Sequence, residues 1–322
     1  MKKKLLSVLV LAVLFGLLVA CSNGSVPVDV QNEDVSVTQR EEVQGIHGFL
    51  TRIEYGDNVA YLFGDYSLTR PDWLPFAPIV EEAMQRADVF FVREDPNVFD
   101  DPLVLEFVLE RGYLPQGATL AEYLPLNIYE HLMYYMDSYD IDTWFIGDLA
   151  PSVVVGSNIP SGIAYKLNAE SFFIADFIAN YARDAGLPFY TFFDPFWFYD
   201  LMFPISEEVQ FAAAQTITYM EDALAQLEAI LNAYEQQDKD LLVELLRYPI
   251  YDGMNAYKRH RMEQDRLIAE EFRFGIGELL RKTEDATTFF IPIWVGNMIG
   301  NDNADVVWLL ENDGFSVARM YE

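Results

Sequence analysis

The feature that most constrains the fold of this chain is the position of its strand-like segments, which lie towards both ends of the sequence. Residues 48–55 alternate apolar and polar side chains, residues 56–58 predict a turn, and residues 59–64 predict the return strand of a hairpin. Between the two ends, helical periodicity prevails. This order predicts an α/β (α+β) fold, with a central sheet from βα units at both ends and a large helical middle section.

The remaining elements follow from periodicity and from turn and capping residues. Residues 89–92, Val-Phe-Phe-Val, predict a buried strand, and the helix predicted at 78–86 places it in a βαβ-like unit with the hairpin. Thr119-Leu-Ala-Glu matches a capping box, and Gly186 occupies a C-cap position. Further helices are predicted at 103–111, 128–139, 169–185, 207–236, 241–247, 255–282 and 304–312, and further strands at 188–193, 288–295 and 315–320.

The N-terminus predicts the compartment. Residues 2–4 are lysines, residues 5–20 are apolar, and Cys21 is the only cysteine. This arrangement is typical of a secretory signal peptide. Its ending resembles a bacterial lipobox, which implies lipidation of Cys21 and an extracytoplasmic, membrane-anchored protein; an uncleaved anchor is the alternative. The predicted organisation is a lipoprotein signal peptide over 1–20, the lipidated cysteine and a flexible tether over 21–44, and one domain over 45–322.

The charge balance excludes one class of partner. The formal net charge is −30 at pH 7. Binding to nucleic acid requires lysine and arginine to neutralise phosphates, so nucleic acid is not an expected partner. With Cys21 lipidated no disulfide is expected, and the core must come from the 52% hydrophobic content.

Three stretches of the sequence form a recognisable pattern of order and spacing. They are residues 61–75 (Tyr-Leu-Phe-Gly-Asp-Tyr-Ser-Leu-Thr-Arg-Pro-Asp-Trp-Leu-Pro), residues 87–95 (Ala-Asp-Val-Phe-Phe-Val-Arg-Glu-Asp) and residues 288–300 (Thr-Phe-Phe-Ile-Pro-Ile-Trp-Val-Gly-Asn-Met-Ile-Gly). This pattern resembles the TraB/GumN family, which is related to the Tiki metalloproteases and to the EreA- and ChaN-like proteins. The resemblance extends over roughly residues 45–322 and implies a family-type active site at the ends of strands.

The family-motif positions carry unusual residues in this chain. Where the resemblance implies histidines of a Gly-x-x-His type, the sequence has Ser67 and Asn297. Where it implies acidic residues, the sequence has Arg93 and Phe193, with Glu94 and Asp194 next to them; a shift of one residue would restore both acids. The motif positions are Gly64, Asp65, Ser67, Arg93, Phe193 and Asn297.

These substitutions predict loss of a family-type metal site. Serine and asparagine are weak ligands beside imidazole, and an arginine repels a cation. One alternative is a rebuilt set of oxygen ligands for a divalent metal, formed by Asp65, Glu94, Asp194 and Asn297, with Ser67 beside them. The preferred alternative is a polar pocket in which Arg93 pairs with Asp65 or Asp194. His47, His131 and His260 are expected to be structural or solvated.

Two further segments have competing interpretations. The aromatic stretch 189–203 predicts either a stacking surface for sugars or peptides, or a buried strand and a helix packed on the sheet, and we prefer the second. Residues 301–305, Asn-Asp-Asn-Ala-Asp, resemble part of a calcium loop, but lack its glycine and glutamate. A turn that caps the next helix is the preferred interpretation.

The sequence therefore predicts a non-catalytic lipoprotein that binds a peptide, protein or glycan ligand. One alternative is a hydrolase or peptidase that acts either through a divalent metal held by the oxygen ligands or through Glu94 and Asp194 as an acid–base pair. A carbohydrate-associated surface protein is the other alternative. The expected partners are the membrane, through the N-terminal lipid, and the unknown ligand. No cofactor is expected unless the oxygen ligands hold a divalent metal.

Overall fold

The computed structural model describes residues 45–66, 68–70, 73–95, 97–139, 141, 143, 146–167, 169, 174–204, 206–216, 223–246, 255–300 and 304–321. The predicted signal peptide, the tether, Cys21 and Ser67 therefore lie outside the described residues. Residues Ile46–Glu322 form one compact unit. Within the described ranges, none of the helices has the length and apolar character needed to cross a bilayer.

The N-terminal hairpin forms as predicted. Strands β1 (Phe49–Tyr55) and β2 (Asn58–Asp65) are antiparallel, and Tyr55 pairs with Asn58 across the turn. Gly56 in the turn has a φ of +60°, a conformation that glycine adopts without the steric cost of a Cβ atom. β2 is buried along almost its whole length, so the hairpin belongs to the interior of the sheet.

Four more strands complete a six-stranded sheet in the order β4-β3-β5-β2-β1-β6. They are β3 (Val89–Val92), β4 (Phe189–Thr191), β5 (Thr288–Trp294) and β6 (Ser316–Arg319). β2, β5, β3 and β4 run parallel, whereas β1 is antiparallel to both of its neighbours. The mixed sheet and the helical centre confirm the predicted fold class.

The predicted βαβ-like unit is interrupted by a strand from the other end of the chain. β5 pairs with β2 on one side and with β3 on the other, so β2 and β3 are not neighbours. β5 is long and apolar, and its five inner residues are all buried. A parallel strand that is covered on both faces belongs at the centre of a sheet, which explains why β5 separates the first two parallel strands.

Thirteen described helices surround the sheet or form the middle section. In chain order they are α1 (Pro78–Arg86), α2 (Pro102–Gly112), α3 (Leu120–Tyr123), α4 (Leu126–Ser138), α5 (Pro151–Val153), α6 (Ile159–Lys166), α7 (Ile174–Asp184), α8 (Pro195–Met202), α9 (Glu207–Thr216), α10 (Ala223–Glu235), α11 (Lys239–Leu246), α12 (Ala256–Lys282) and α13 (Val306–Asn312). A π-helical turn, Val154–Asn158, joins α5 to α6.

The local capping signals in the middle section are confirmed. Thr119 Oγ1 accepts a hydrogen bond from the Glu122 backbone N–H at 3.3 Å, and Glu122 Oε2 accepts one from the Thr119 N–H at 3.2 Å. This reciprocal pair is a capping box. Gly186, after α7, has a φ of +68°, as expected for a glycine that ends a helix.

Aromatic side chains join the helices to both faces of the sheet. On one face, the Phe90 ring lies 5.7 Å from Tyr181 of α7, and Phe63 lies 5.3 Å from Phe76. On the other face, Phe192 lies 4.6 Å from Phe272 of α12. Full burial of one such side chain contributes roughly 1.5–3 kcal/mol. The core of the domain therefore lies in two layers, one on each side of the sheet.

One predicted element differs from the structure. β4 is an exposed edge strand, although the aromatic stretch predicts a buried one. Among the described strands β4 pairs only with β3, so only one of its two edges is hydrogen-bonded within the sheet. The helix expected over 169–185 is described over Ile174–Asp184, with residues 170–173 outside the described ranges. The long helix expected over 207–236 is described as α9 and α10, with residues 217–222 outside the described ranges.

Candidate functional site

The candidate site lies at the edge of the sheet where four parallel strands end. β2 ends at Asp65, Arg93 and Glu94 follow β3, Phe193 and Asp194 follow β4, and β5 leads into a 3₁₀ turn that ends at Asn297. In open α/β sheets, ligands bind outside the carboxyl ends of the parallel strands. The sequence-predicted positions in the described residues are therefore all at or near the edge where a site is expected.

Asp65 is deeply buried at this edge, with 5% of its surface exposed. Its Oδ1 atom has no hydrogen-bond partner within the part of the chain that the structure describes. Burial raises the pKa of Asp65 from 3.8 to about 6; the nearby Arg93 opposes this rise and Asp176 adds to it. The carboxyl group therefore titrates close to neutral pH.

Arg93 brings a permanent positive charge into the same region. Its Nη2 lies 3.4 Å from Glu94 Oε1, and its guanidinium carbon lies 5.4 Å from the centre of the Phe198 ring. Its Nε is buried and has no partner among the described residues. The structure thus pairs Arg93 with Glu94, and not with Asp65 or Asp194 as predicted, because Glu94 is its immediate neighbour and Asp194 is engaged elsewhere.

Glu94 is held from its other side by α8. The hydroxyl of Tyr199 donates a hydrogen bond to Glu94 Oε2. Burial, together with the charge of Glu94, raises the pKa of Tyr199 far above its usual value, so this hydroxyl stays protonated and remains a donor. Glu94 therefore has two partners, one cationic and one neutral.

Asp176, in the first turn of α7, completes the cluster. Burial raises its pKa from 3.8 to about 6; Glu94 adds to this rise and Arg93 opposes it. We call the group formed by Asp65, Arg93, Glu94, Asp176 and Tyr199 the edge cluster. Asp65 comes from β2, Arg93 and Glu94 follow β3, Asp176 lies on α7, and Tyr199 lies on α8.

Sequence reasoning missed Asp176 and Tyr199. An acidic residue in the first turn of a helix is what the helix dipole favours anywhere, so Asp176 carried no special signal. Tyr199 lies in the aromatic stretch that the sequence predicts to be core, and it is indeed largely buried. Only the packing of α7 and α8 against the sheet brings them to the site.

Phe193 and Asp194 serve the packing of α8. Phe193 is buried, and its ring lies 4.8 Å from Phe272 and 5.5 Å from Phe198. Asp194 Oδ1 accepts a hydrogen bond from the Trp197 N–H at 2.9 Å, so Asp194 is the N-cap of α8. The interpretation of the second half of the aromatic stretch as a packed helix agrees with this arrangement.

Asn297 and Gly64 form the packed base of the edge. Asn297 is 1% exposed, and its Nδ2 donates to the backbone carbonyls of Asp265 at 3.1 Å and Ala304 at 3.3 Å. A Cβ atom on Gly64 would lie 3.0 Å from Phe49 Cβ and 3.2 Å from Met298 Sδ. Both positions therefore have structural contacts that account for the residue present.

Three of the four proposed oxygen ligands for a metal have other partners among the described residues. No group of three or more histidine, cysteine, aspartate or glutamate side chains lies at metal-binding separation within them. Of the four proposed oxygen ligands, Asp194 caps a helix and Asn297 ties two backbone segments together. Glu94 pairs with the guanidinium of Arg93, whose charge opposes a cation.

Two other predicted features are located as follows. Asp305 is the N-cap of α13, since its Oδ1 accepts a hydrogen bond from the Trp308 N–H at 3.0 Å; this confirms the capping interpretation, with residues 301–303 outside the described ranges. The imidazole of His260 is part-buried, and burial lowers its pKa. His131 lies on α4 and His47 precedes β1.

The fold and the site define a class of α/β proteins in which polar side chains gather at the carboxyl ends of parallel strands. The family model of the TraB/PrgY/gumN family matches residues 49–319. The chain therefore belongs to this family, as its motifs predicted. No curated protein and no solved structure matches the chain.

Proposed function

We propose that this chain is a lipid-anchored, extracytoplasmic member of the TraB/PrgY/gumN family that binds a peptide or protein ligand at the edge cluster and does not catalyse metal-dependent hydrolysis. The observation that carries this proposal is a pair of buried atoms without partners among the described residues, the acceptor Asp65 Oδ1 and the donor Arg93 Nε. Both lie in one electrostatically coupled cluster.

Such atoms favour a ligand that carries the complementary groups. A buried polar group that lacks a hydrogen bond costs roughly 1–3 kcal/mol. A peptide backbone offers both a carbonyl acceptor for Arg93 Nε and an N–H donor for Asp65 Oδ1. A peptide backbone therefore carries both kinds of group that the two atoms lack.

The charge of Arg93 supports binding over metal chemistry. At an effective dielectric constant of 20, two like unit charges about 5 Å apart repel by roughly 3 kcal/mol, and a divalent ion doubles that figure. Arg93 is half-enclosed by Glu94 and Phe198, so the cluster places a fixed guanidinium among its carboxylates.

Calorimetry with the purified full-length chain in detergent tests the absence of a metal site. We expect no heat of binding from Mn²⁺, Co²⁺ or Ca²⁺ at micromolar concentration, either for the wild type or for Asp65→Asn. A micromolar heat in the wild type that disappears in Asp65→Asn would overturn the proposal.

Ligand binding is tested by thermal shift against a panel of di- and tripeptides. We expect peptides that stabilise the wild type to lose their effect in Arg93→Ala, while Arg86→Ala, which removes an exposed cation at the end of α1, leaves the shift unchanged. The proposal fails if stabilising peptides act equally on all three proteins, or if no peptide in the panel shifts the wild type.

Lipid anchoring is tested at Cys21. The small-residue-then-cysteine ending of the apolar run supports acylation there. Labelling of expressing cells with an alkyne-bearing fatty acid should mark the wild type and leave Cys21→Ser unlabelled. Equal labelling of the two proteins, or no labelling of either, would contradict the assignment.

A metal-free acid–base hydrolase is the second candidate, because one observation favours it. Asp65 and Asp176 both have a pKa of about 6, which is in the range that suits a general acid or base near neutral pH. Under this candidate, peptide hydrolysis persists in EDTA and falls at least about 100-fold in Asp176→Asn. Hydrolysis that is absent at every pH between 5 and 8 removes the candidate.

A further inference from the structure

We propose that the outer edge of β4, with the cleft beside it, binds an extended basic peptide segment of another protein as an added strand. This site is separate from the edge cluster, and its evidence is the backbone geometry of β4 together with the shape and charge of the cleft.

The backbone of β4 has four polar groups that point away from the sheet. The Phe90 N–H donates to the Pro188 carbonyl at 2.9 Å, and the Phe192 N–H donates to the Val92 carbonyl at 2.8 Å. In this parallel register the N–H and C=O of Tyr190 also face β3. The N–H and C=O groups of Phe189 and Thr191 therefore face outward, where no described strand pairs with them.

The strand itself has little protection against pairing. Phe-Tyr-Thr is a sequence of residues that favour strands, without a charge or proline inside it, and Tyr190 is 56% exposed. Natural proteins usually protect such edges with charges, proline or a covering element. Its three residues are long enough for one peptide strand, which recognises an edge through alternate backbone hydrogen bonds.

A cleft of about 390 Å³ lies along this edge, between the sheet and α12. Its apolar part includes Phe91, Phe192 and Leu279, and Thr191 of β4 also lines it. The Phe192 ring lies so close to Gly275 that a Cβ atom there would be 2.6 Å from Phe192 Cζ. An added strand on β4 would therefore run beside a space suited to an apolar side chain.

The charge of the cleft points to a basic occupant. Glu271, Glu278 and Lys282 line it; Glu278 pairs with Lys282 at 2.6 Å. Glu271 is exposed and has no ion pair within the described residues, so it leaves the lining with one uncompensated negative charge. A second copy of the chain would have to approach against a net charge of −30 on each molecule. A peptide with alternating lysine and apolar residues can place a lysine near Glu271 and an apolar side chain against the apolar part of the cleft.

The test uses the full-length chain in detergent and a fluorescein-labelled peptide, Lys-Val-Lys-Val-Lys-Val, followed by fluorescence anisotropy. We expect saturable binding, and binding about three- to tenfold weaker in Glu271→Lys, because a partly exposed ion pair is replaced by repulsion. Glu228→Lys, a reversal at an exposed glutamate of α10, is the matched control and should bind as the wild type does.

Methylated peptides distinguish strand addition from simple charge attraction. In an added strand, alternate peptide N–H groups face β4. We compare a peptide that is N-methylated at every valine with one that is N-methylated at every lysine. Only one of the two should keep its affinity for the chain, because only one set of N–H groups faces β4. Equal retention or equal loss of binding by the two peptides would overturn strand addition.

Hydrogen exchange locates the site. Peptide binding should slow amide exchange in the segment that contains Phe189 and Thr191, and leave the segment that contains Asp65 unchanged. Protection at Asp65 alone would place the peptide at the edge cluster and refute the β4 site. Sedimentation that shows dimers without peptide, lost on addition of the peptide, would identify a second copy as the occupant and refute the proposal in that form.

Discussion

The ends of β2 and β4 show how the position of a strand in the sheet decides the chemistry of the residue that follows it. β2 lies inside the sheet and ends at Asp65, which is buried and whose pKa is about 6. β4 lies at the edge and leads to Asp194, whose carboxylate accepts a backbone hydrogen bond at the start of α8. The same residue type is a buried carboxyl with a raised pKa in one place and a helix cap in the other.

The largest expected effect tests whether the chain enters the core only after β4 has ended, at Phe193. Phe193 is buried against Phe272, so Phe193→Ala should lower the free energy of unfolding by about 3–5 kcal/mol. Tyr190, inside the strand, is 56% exposed, and Tyr190→Ala should change stability by less than about 1 kcal/mol. Urea unfolding of both variants measures the contrast, and similar losses would contradict it.

The next effect concerns the buried carboxyl at the end of β2. The pKa of Asp65 is about 6 in the folded chain against an ordinary 3.8, so folding favours its protonated form. Its contribution to stability is therefore full below pH 3.8 and is lost as the pH rises through 6. Asp65→Asn removes this loss because asparagine does not ionise. A pKa difference of one between the folded and the unfolded chain corresponds to about 1.4 kcal/mol. The free energy of unfolding of the variant should therefore exceed that of the wild type by up to about 3 kcal/mol at pH 8.

The measurement is urea unfolding at pH 4, 6 and 8. Asp194→Asn serves as the matched control, because asparagine also caps helices well. Its free energy of unfolding should stay close to that of the wild type at every pH. If the difference in unfolding free energy between Asp65→Asn and the wild type did not change with pH, burial would not be raising the pKa of Asp65.

A smaller effect tests the close packing of the β2 end. Gly64→Ala would place a Cβ atom 3.0 Å from Phe49 Cβ and 3.2 Å from Val295 Cγ2. Overpacking of this kind should cost about 1–3 kcal/mol of unfolding free energy. Gly147→Ala is the control, because no described residue beyond its two chain neighbours has an atom within 4 Å of its Cβ position. Thermal unfolding of the pair would contradict the packing argument if the two variants were equally stable.

The smallest effect tests the role assigned to the β4 end. Asp194→Ala removes the side chain that accepts the Trp197 N–H at 2.9 Å, and should cost about 0.5–2 kcal/mol. Asp194→Asn keeps a capping oxygen and should cost less. A larger loss in the asparagine variant than in the alanine variant, measured by urea unfolding, would show that the negative charge matters more than the cap.

Much of the local structure was predictable because its signals are local. The hairpin with Gly56, the capping box at Thr119 and the helix end at Gly186 all follow from residues close together in sequence. The family and the positions of its motifs were predictable as well, because the motifs follow strands that are themselves easy to locate. These signals placed Asp65, Arg93 and Glu94 at one edge of a sheet.

The partners at that edge were not predictable. Asp176 and Tyr199 reach the cluster from α7 and α8, far along the chain from Asp65, and their sequence surroundings are those of ordinary helices. The geometry that pairs Arg93 with Glu94, while Tyr199 holds the other oxygen of Glu94, depends on distances that only the assembled fold sets.

The sequence by itself determined the element types, the family and the identity of the residues that follow the parallel strands, because periodicity, capping and turn preferences act over a few residues. Only the tertiary structure decided that β5 lies between β2 and β3, that β4 lies exposed at the edge, and that Asp65 is buried beside Arg93 and Asp176. Strand order and burial are set by contacts between distant segments, and a carboxyl group acquires its pKa from those contacts rather than from its neighbours in sequence.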